Sequence, residues 1–146
     1  MSRRDSPLRY PGGKACLTDQ VIEILKLNNL IQKEYAEPFA GGCGLALGLL
    51  YKGYVSKIHL NDYDEAIWSF WYSVLNETDR FISKIKDTQV TLTEWQKQKS
   101  ILNSTDKTQP LELGFATFFL NRTNRSGISQ RLIWGCAMWT SARWIW

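Results

Sequence analysis

The stretch that decides the fold is Tyr35-Ala36-Glu37-Pro38-Phe39-Ala40-Gly41-Gly42-Cys43-Gly44-Leu45-Ala46-Leu47-Gly48-Leu49-Leu50-Tyr51, followed by Lys52-Gly53 and then Ser56-Lys57-Ile58-His59-Leu60-Asn61-Asp62. An apolar run enters a glycine turn, a helix-forming run leaves it, and Gly53 offers the left-handed residue that closes a helix. The second extended run, Ser56 to Asn61, ends at an acid. The order is strand, helix, strand, which implies a parallel pair joined by a crossover.

Upstream, Ser6-Pro7-Leu8-Arg9-Tyr10-Pro11-Gly12-Gly13-Lys14 has two Pro and two Gly in nine residues and reads as a loop. Thr18 to Leu27 then reads as an amphipathic helix with Val21, Ile24 and Leu25 on one face. Downstream the periodicity becomes helical throughout, over Glu65 to Leu75, Thr78 to Lys86, Thr93 to Leu102 and Glu112 to Asn121. Asn76 or Thr78 is suited to cap the second of these and Thr91 or Thr93 the third.

The composition suits a folded body: 146 residues, 44% apolar, 13% aromatic and 22% charged, which excludes intrinsic disorder and low-complexity classes. No apolar run approaches the roughly 20 residues of a membrane span. The start carries charge followed by Ser6-Pro7 rather than an apolar signal core. Three cysteines, Cys16, Cys43 and Cys136, with one histidine, His59, support neither a disulfide framework nor a metal site. A cytoplasmic location is the expectation, and a monomer the favoured state. The net charge of +4 is unevenly spread, with +3 in residues 1–14, +4 in residues 122–146 and a mildly acidic body between. Two basic ends suit contact with a polyanion, although solvated termini would look the same.

Glycine-rich turns between strand and helix commonly hold phosphate. Here the spacing argues otherwise. Position 47 is Leu, which breaks G-x-G-x-x-G, and Leu8 with Ala15 breaks the P-loop around Gly13-Lys14. A nicotinamide dinucleotide protein is thereby disfavoured. Asp62, at the end of the second strand, is placed to accept hydrogen bonds from ribose hydroxyls, or alternatively to cap the helix that begins near Asp64. A nucleoside without a pyrophosphate fits both features.

Four blocks in order, Pro7-Leu8-Arg9-Tyr10-Pro11-Gly12-Gly13-Lys14, Glu37-Pro38-Phe39-Ala40-Gly41-Gly42-Cys43-Gly44, Asn61-Asp62-Tyr63-Asp64 and Phe118-Phe119-Leu120-Asn121-Arg122-Thr123, resemble the successive motifs of Dam-type adenine-specific DNA methyltransferases. The resemblance runs from about residue 6 to residue 128. It implies an α/β fold, an incomplete Rossmann-like S-adenosylmethionine-dependent methyltransferase sheet with an inserted helical target recognition region. The expected division is 1–64 for the cofactor part, 65–128 for target recognition and 129–146 as a divergent tail. The implied cofactor, S-adenosylmethionine, would meet Tyr10, Lys14, Glu37, Phe39, Ala40, Gly41, Gly42, Gly44 and Asp62. From the residues alone, Tyr10 could equally be a loop aromatic packed on the core and Lys14 a surface charge. Glu37 could equally pair with Lys14 or a backbone N–H.

The implied partner is double-stranded DNA, met by Asn121, Arg122, Asn124 and Arg125 in the loop up to Gly127. Arg forks onto phosphate or guanine and Asn pairs with adenine, while a plain polar helix end has a similar composition. The family's Asp-Pro-Pro-Tyr motif, which holds the flipped adenine, has no counterpart, because no two of the four prolines are adjacent. No catalytic residue is therefore expected within these residues. Past Ile128 the match fades, and four of the seven Trp fall between Arg131 and Trp146 with no acid. The expectation is an inactive, truncated or frameshifted fragment, with a non-catalytic DNA-binding module or an inert remnant as the alternative.

Overall fold

A computed structural model describes residues 5–104 and 109–124. Among them are six α-helices and two strands: α1 (Thr18–Leu27), β1 (Lys33–Glu37), α2 (Gly44–Tyr51), β2 (Val55–Leu60), α3 (Glu65–Asn76), α4 (Thr78–Asp87), α5 (Leu92–Asn103) and α6 (Pro110–Thr123), with a 3-10 turn at Lys14–Leu17 ahead of α1. The described residues fall into two compact units, one ending at Asp62 and one beginning at Tyr63. No described helix is long and apolar enough to cross a membrane.

In the first unit β1 and β2 are parallel and joined through α2, as the glycine turn implied. β1 stops at Glu37 rather than running on to Ala40. Pro38 has no N–H for the ladder, and Asn61 takes over the pairing, donating its backbone N–H to Glu37 O and accepting that of Ala40. The pairing shifts between Lys33 and Glu34, which face Val55 and Lys57 and leave Ser56 as the extra residue. That bulge lets Val55 and Ile58 pack into the same core despite their opposite parity. The core is Ile22, Leu25, Leu45, Leu49 and Val55. α1 therefore buries Thr18, Ile22 and Leu25, and the expected stripe through Ile24 is wrong, since Ile24 is 55% exposed. Apolar residues at 21, 22, 24 and 25 allow two stripes, and packing against α2 and β2 selects the one through Ile22.

The second unit is helical. α3 and α6 cross closely, with Ser69 and Ser73 against Gly114. The rings of Phe70, Phe81, Phe115 and Phe118 cluster at centroid distances of 5.8 to 6.3 Å. Thr91 caps α5, accepting from Glu94 N–H at 3.1 Å, whereas neither Asn76 nor Thr78 caps α4. Both instead donate back into α3, to Tyr72 O and Val74 O, so that α4 follows α3 with only Glu77 between them. α6 continues to Thr123, two residues beyond expectation; Thr123 Oγ1 donates to Phe119 O at 2.8 Å and Asn124 N–H to Leu120 O at 2.8 Å.

Candidate functional site

The glycine turn lies between the buried end of β1 and the first turn of α2. Its chain reverses through two left-handed residues, Gly41 (φ +49°) and Cys43 (φ +56°), the second being the residue that precedes α2. Glycine takes this conformation without strain and cysteine does not. The Cys43 side chain is almost wholly buried, and burial pushes its thiol well above the ordinary range, so it packs and does not act as a nucleophile.

The missing side chains at Gly41 and Gly42 admit the protein's own N-terminal loop. A Cβ at Gly41 would lie 2.9 Å from Tyr10 Cε1, and one at Gly42 would lie 2.9 Å from Tyr10 Cβ and 3.2 Å from Ser6 Oγ. At Gly44 it would lie 3.1 Å from Ala15 Cβ. Leu8 is 5% exposed, and Ser6 Oγ bonds both its N–H and its C=O. The N-terminal loop is thus part of the turn. A lone apolar Leu8 within a Pro- and Gly-rich loop is the signal that could have revealed it.

Two carboxylates organise the rest. Glu37, 2% exposed, pairs with Lys14 Nζ at 2.9 Å, and its other oxygen accepts from Ala46 N–H at 3.2 Å in the first turn of α2. Both pairings anticipated for Glu37 therefore occur together. Lys14 also donates to Phe39 O. It clamps the loop to the end of β1 and is not a free surface charge. Burial of the phenol, with the negative charge of Glu37 beside it, raises the Tyr35 hydroxyl to about 12. Asp62 Oδ2 accepts the Gly41 N–H at 2.8 Å, so the acid after β2 is bonded directly to the turn after β1. The alternative reading of Asp62 as a helix cap fails, because Asp64 caps α3 by accepting from Ala66 N–H at 2.9 Å.

Tyr10, Lys14, Glu37, Phe39, Ala40, Gly41, Gly42, Gly44 and Asp62 all belong to this first unit. Ala40 is buried, while Phe39 is 60% exposed and offers a ring face at the turn. The first turn of α2 is less open to a pyrophosphate, since its Ala46 N–H is already taken by the Glu37 carboxylate, itself paired with Lys14. Among the described residues no group of three or more His, Cys, Asp or Glu is placed to hold a metal ion.

In the second unit, Asn121 and Arg122 are residues of α6 itself rather than of a loop. Asn121 is 5% exposed, Arg122 is exposed, and Asn124 accepts from Trp95 Nε1 at 2.8 Å. Arg125, the rest of that stretch and the tail from residue 129 lie outside the described residues.

A parallel strand–helix–strand unit with an acid bonded to its glycine turn, followed by a helical unit, defines a mixed α/β protein. The match to known proteins narrows it: the model for the D12 class N6 adenine-specific DNA methyltransferases matches residues 10–130, and the chain belongs to that family. It is similar to Type II methyltransferase M.MjaIII of Methanocaldococcus jannaschii, with 31% identity over 99 residues, an alignment covering 63% of this chain and 34% of that protein. The chain thus matches about a third of the length of that relative.

Proposed function

We propose that this chain carries the S-adenosylmethionine site and part of the target recognition region of an adenine-specific DNA methyltransferase acting on double-stranded DNA in the cytoplasm, and that β1-α2-β2 begins a Rossmann-like sheet. The observation that carries the reading is the Gly41–Asp62 bond, which fixes a carboxylate at the mouth of a turn whose helix end already bonds the Glu37 carboxylate. Asp62 would accept from the ribose hydroxyls. Tyr10 would wall the site, Phe39 would lend its exposed ring to the base, and Lys14 with Glu37 would hold the loop in place. When bound, S-adenosylmethionine supplies an electrophilic methyl on a sulfonium; its positive charge suits a site that contains the Asp62 carboxylate. On the second unit, Arg122 would meet phosphate or guanine, with Asn121, Asn124 and Arg125 in the same stretch.

These 146 residues contain no Asp-Pro-Pro-Tyr. We therefore propose that the chain by itself transfers no methyl to duplex DNA. Calorimetry with S-adenosylmethionine tests the cofactor reading. Asp62→Asn keeps an oxygen for the Gly41 N–H but removes the charge, and Asp62→Ala removes both. Loss of one or two charge-assisted bonds weakens binding roughly tenfold to a hundredfold. Affinities equal to wild type in both variants would sink the ribose assignment.

A further inference from the structure

We infer that Asn124 is a strut, not a reader of bases, and that Trp95 is the positioning residue that makes it one. The inference deepens the DNA reading above. The indole Nε1–H is a donor and never an acceptor, so the Asn124 atom 2.8 Å from it must be the amide oxygen. Reading adenine with an asparagine needs that same oxygen to accept from the N6 amino group while the amide nitrogen donates to N7. The indole takes one of that oxygen's two lone pairs and fixes the orientation of the amide, so Asn124 is not free to turn its oxygen and nitrogen together onto a base edge.

The bond has a clear structural use. It joins α5 to the residue immediately after α6, where the helix end is also tied by Asn124 N–H to Leu120 O and by Thr123 Oγ1 to Phe119 O. Trp95 is itself held: it lies one turn into α5 behind the Thr91 cap, and Lys99 Nζ sits 4.9 Å from its ring centroid. Arg122, exposed two residues before Asn124, is thereby presented from a fixed helix end, and Lys99 adds a second cation beside Trp95. Positioning of this kind lowers the ordering cost of binding without touching DNA.

The test is a double-mutant cycle in the full chain with Trp95→Phe and Asn124→Ala. Affinity for mixed-sequence duplex is measured across a salt series, and exchange of the Trp95 indole proton is followed by NMR in the absence of DNA. The strut predicts that each single variant weakens binding to a similar degree, roughly threefold to tenfold. It also predicts that the double variant is no worse than either single one and that the salt slope stays unchanged. Arg122→Ala should instead lower that slope by about one. The indole proton should be protected in wild type and in Asn124→Asp, which keeps the acceptor, and should exchange faster in Asn124→Ala. Additive losses, or an indole proton indifferent to Asn124→Ala, overturn the strut. If wild type shows no DNA affinity while the indole proton behaves as described, the DNA reading fails and the strut survives.

Discussion

Gly114→Ala tests the helix crossing that shapes the second unit. A Cβ at Gly114 would lie 2.5 Å from Ser69 O, 2.8 Å from the Ser69 carbonyl carbon and 2.7 Å from Ser73 Oγ, the first two being backbone atoms of α3 that cannot swing aside. In an open helix, Ala is favoured over Gly by about 1 kcal/mol. Against that gain stand overpacking of a tight contact, about 1–3 kcal/mol, and disturbance of the Ser73 hydroxyl, which donates to Ser69 O at 2.7 Å and Pro110 O at 3.1 Å and contributes about 1 kcal/mol. The balance is a destabilisation of about 2 kcal/mol, which lowers Tm by roughly 4–8 °C in a chain of this size. The internal control is Gly48→Ala in α2, whose Cβ would meet Thr18 at an ordinary 3.6 Å and nothing closer. It should stabilise by about 0.5–1 kcal/mol. Scanning calorimetry of the two variants beside wild type decides the matter, since opposite signs are required. A Gly114→Ala protein as stable as wild type, or more stable, refutes the close crossing.

Other consequences follow from single contacts. Thr91→Ala removes the α5 cap and should cost about 1 kcal/mol in urea unfolding, whereas Thr78→Ala, which removes no cap, should stay within about 0.5 kcal/mol of wild type. Native protein treated with iodoacetamide near pH 8 should be alkylated at exposed Cys16 and spared at buried Cys43, as read by peptide mapping; modification of Cys43 at the rate of Cys16 would contradict its packing. His59 Nε2 lies 2.7 Å from Glu34 Oε2 and holds that carboxyl below its ordinary 4.5. A depressed carboxyl favours the fold above its unfolded value and loses that contribution as pH falls through the folded one, so the effect fades below about pH 4.5. An NMR titration should place the Glu34 midpoint below 4.5 in wild type and return it towards 4.5 in His59→Ala.

Much of the candidate site was legible because its residues are punctuation. Gly41, Gly42 and Gly44 mark the turn, Asp62 marks the end of β2, and their separation follows from the length of one helix plus one strand. What local pattern could not decide was partnership. Spacing gave ligand clearance as the reason for the glycines, and the structure adds Tyr10, Ser6 and Ala15 as occupants of the same space. Asn61-Asp62-Tyr63-Asp64 offers more than one cap for α3, and only the structure assigns the cap to Asp64. The polar composition around Asn121 suggests a loop, but α6 continues past it and leaves it 5% exposed.

The sequence by itself determined the order of elements and the parallel sense of the strands, because periodicity, proline and glycine act over a few residues. It also carried the four ordered blocks that mark the family. Tertiary structure alone decided which stripe of α1 faces inward, why position 114 admits no side chain, and that the side-chain oxygen of Asn124 is spent on Trp95. Each of these depends on a surface that arrives from elsewhere in the chain, and no local periodicity encodes the identity or distance of that surface.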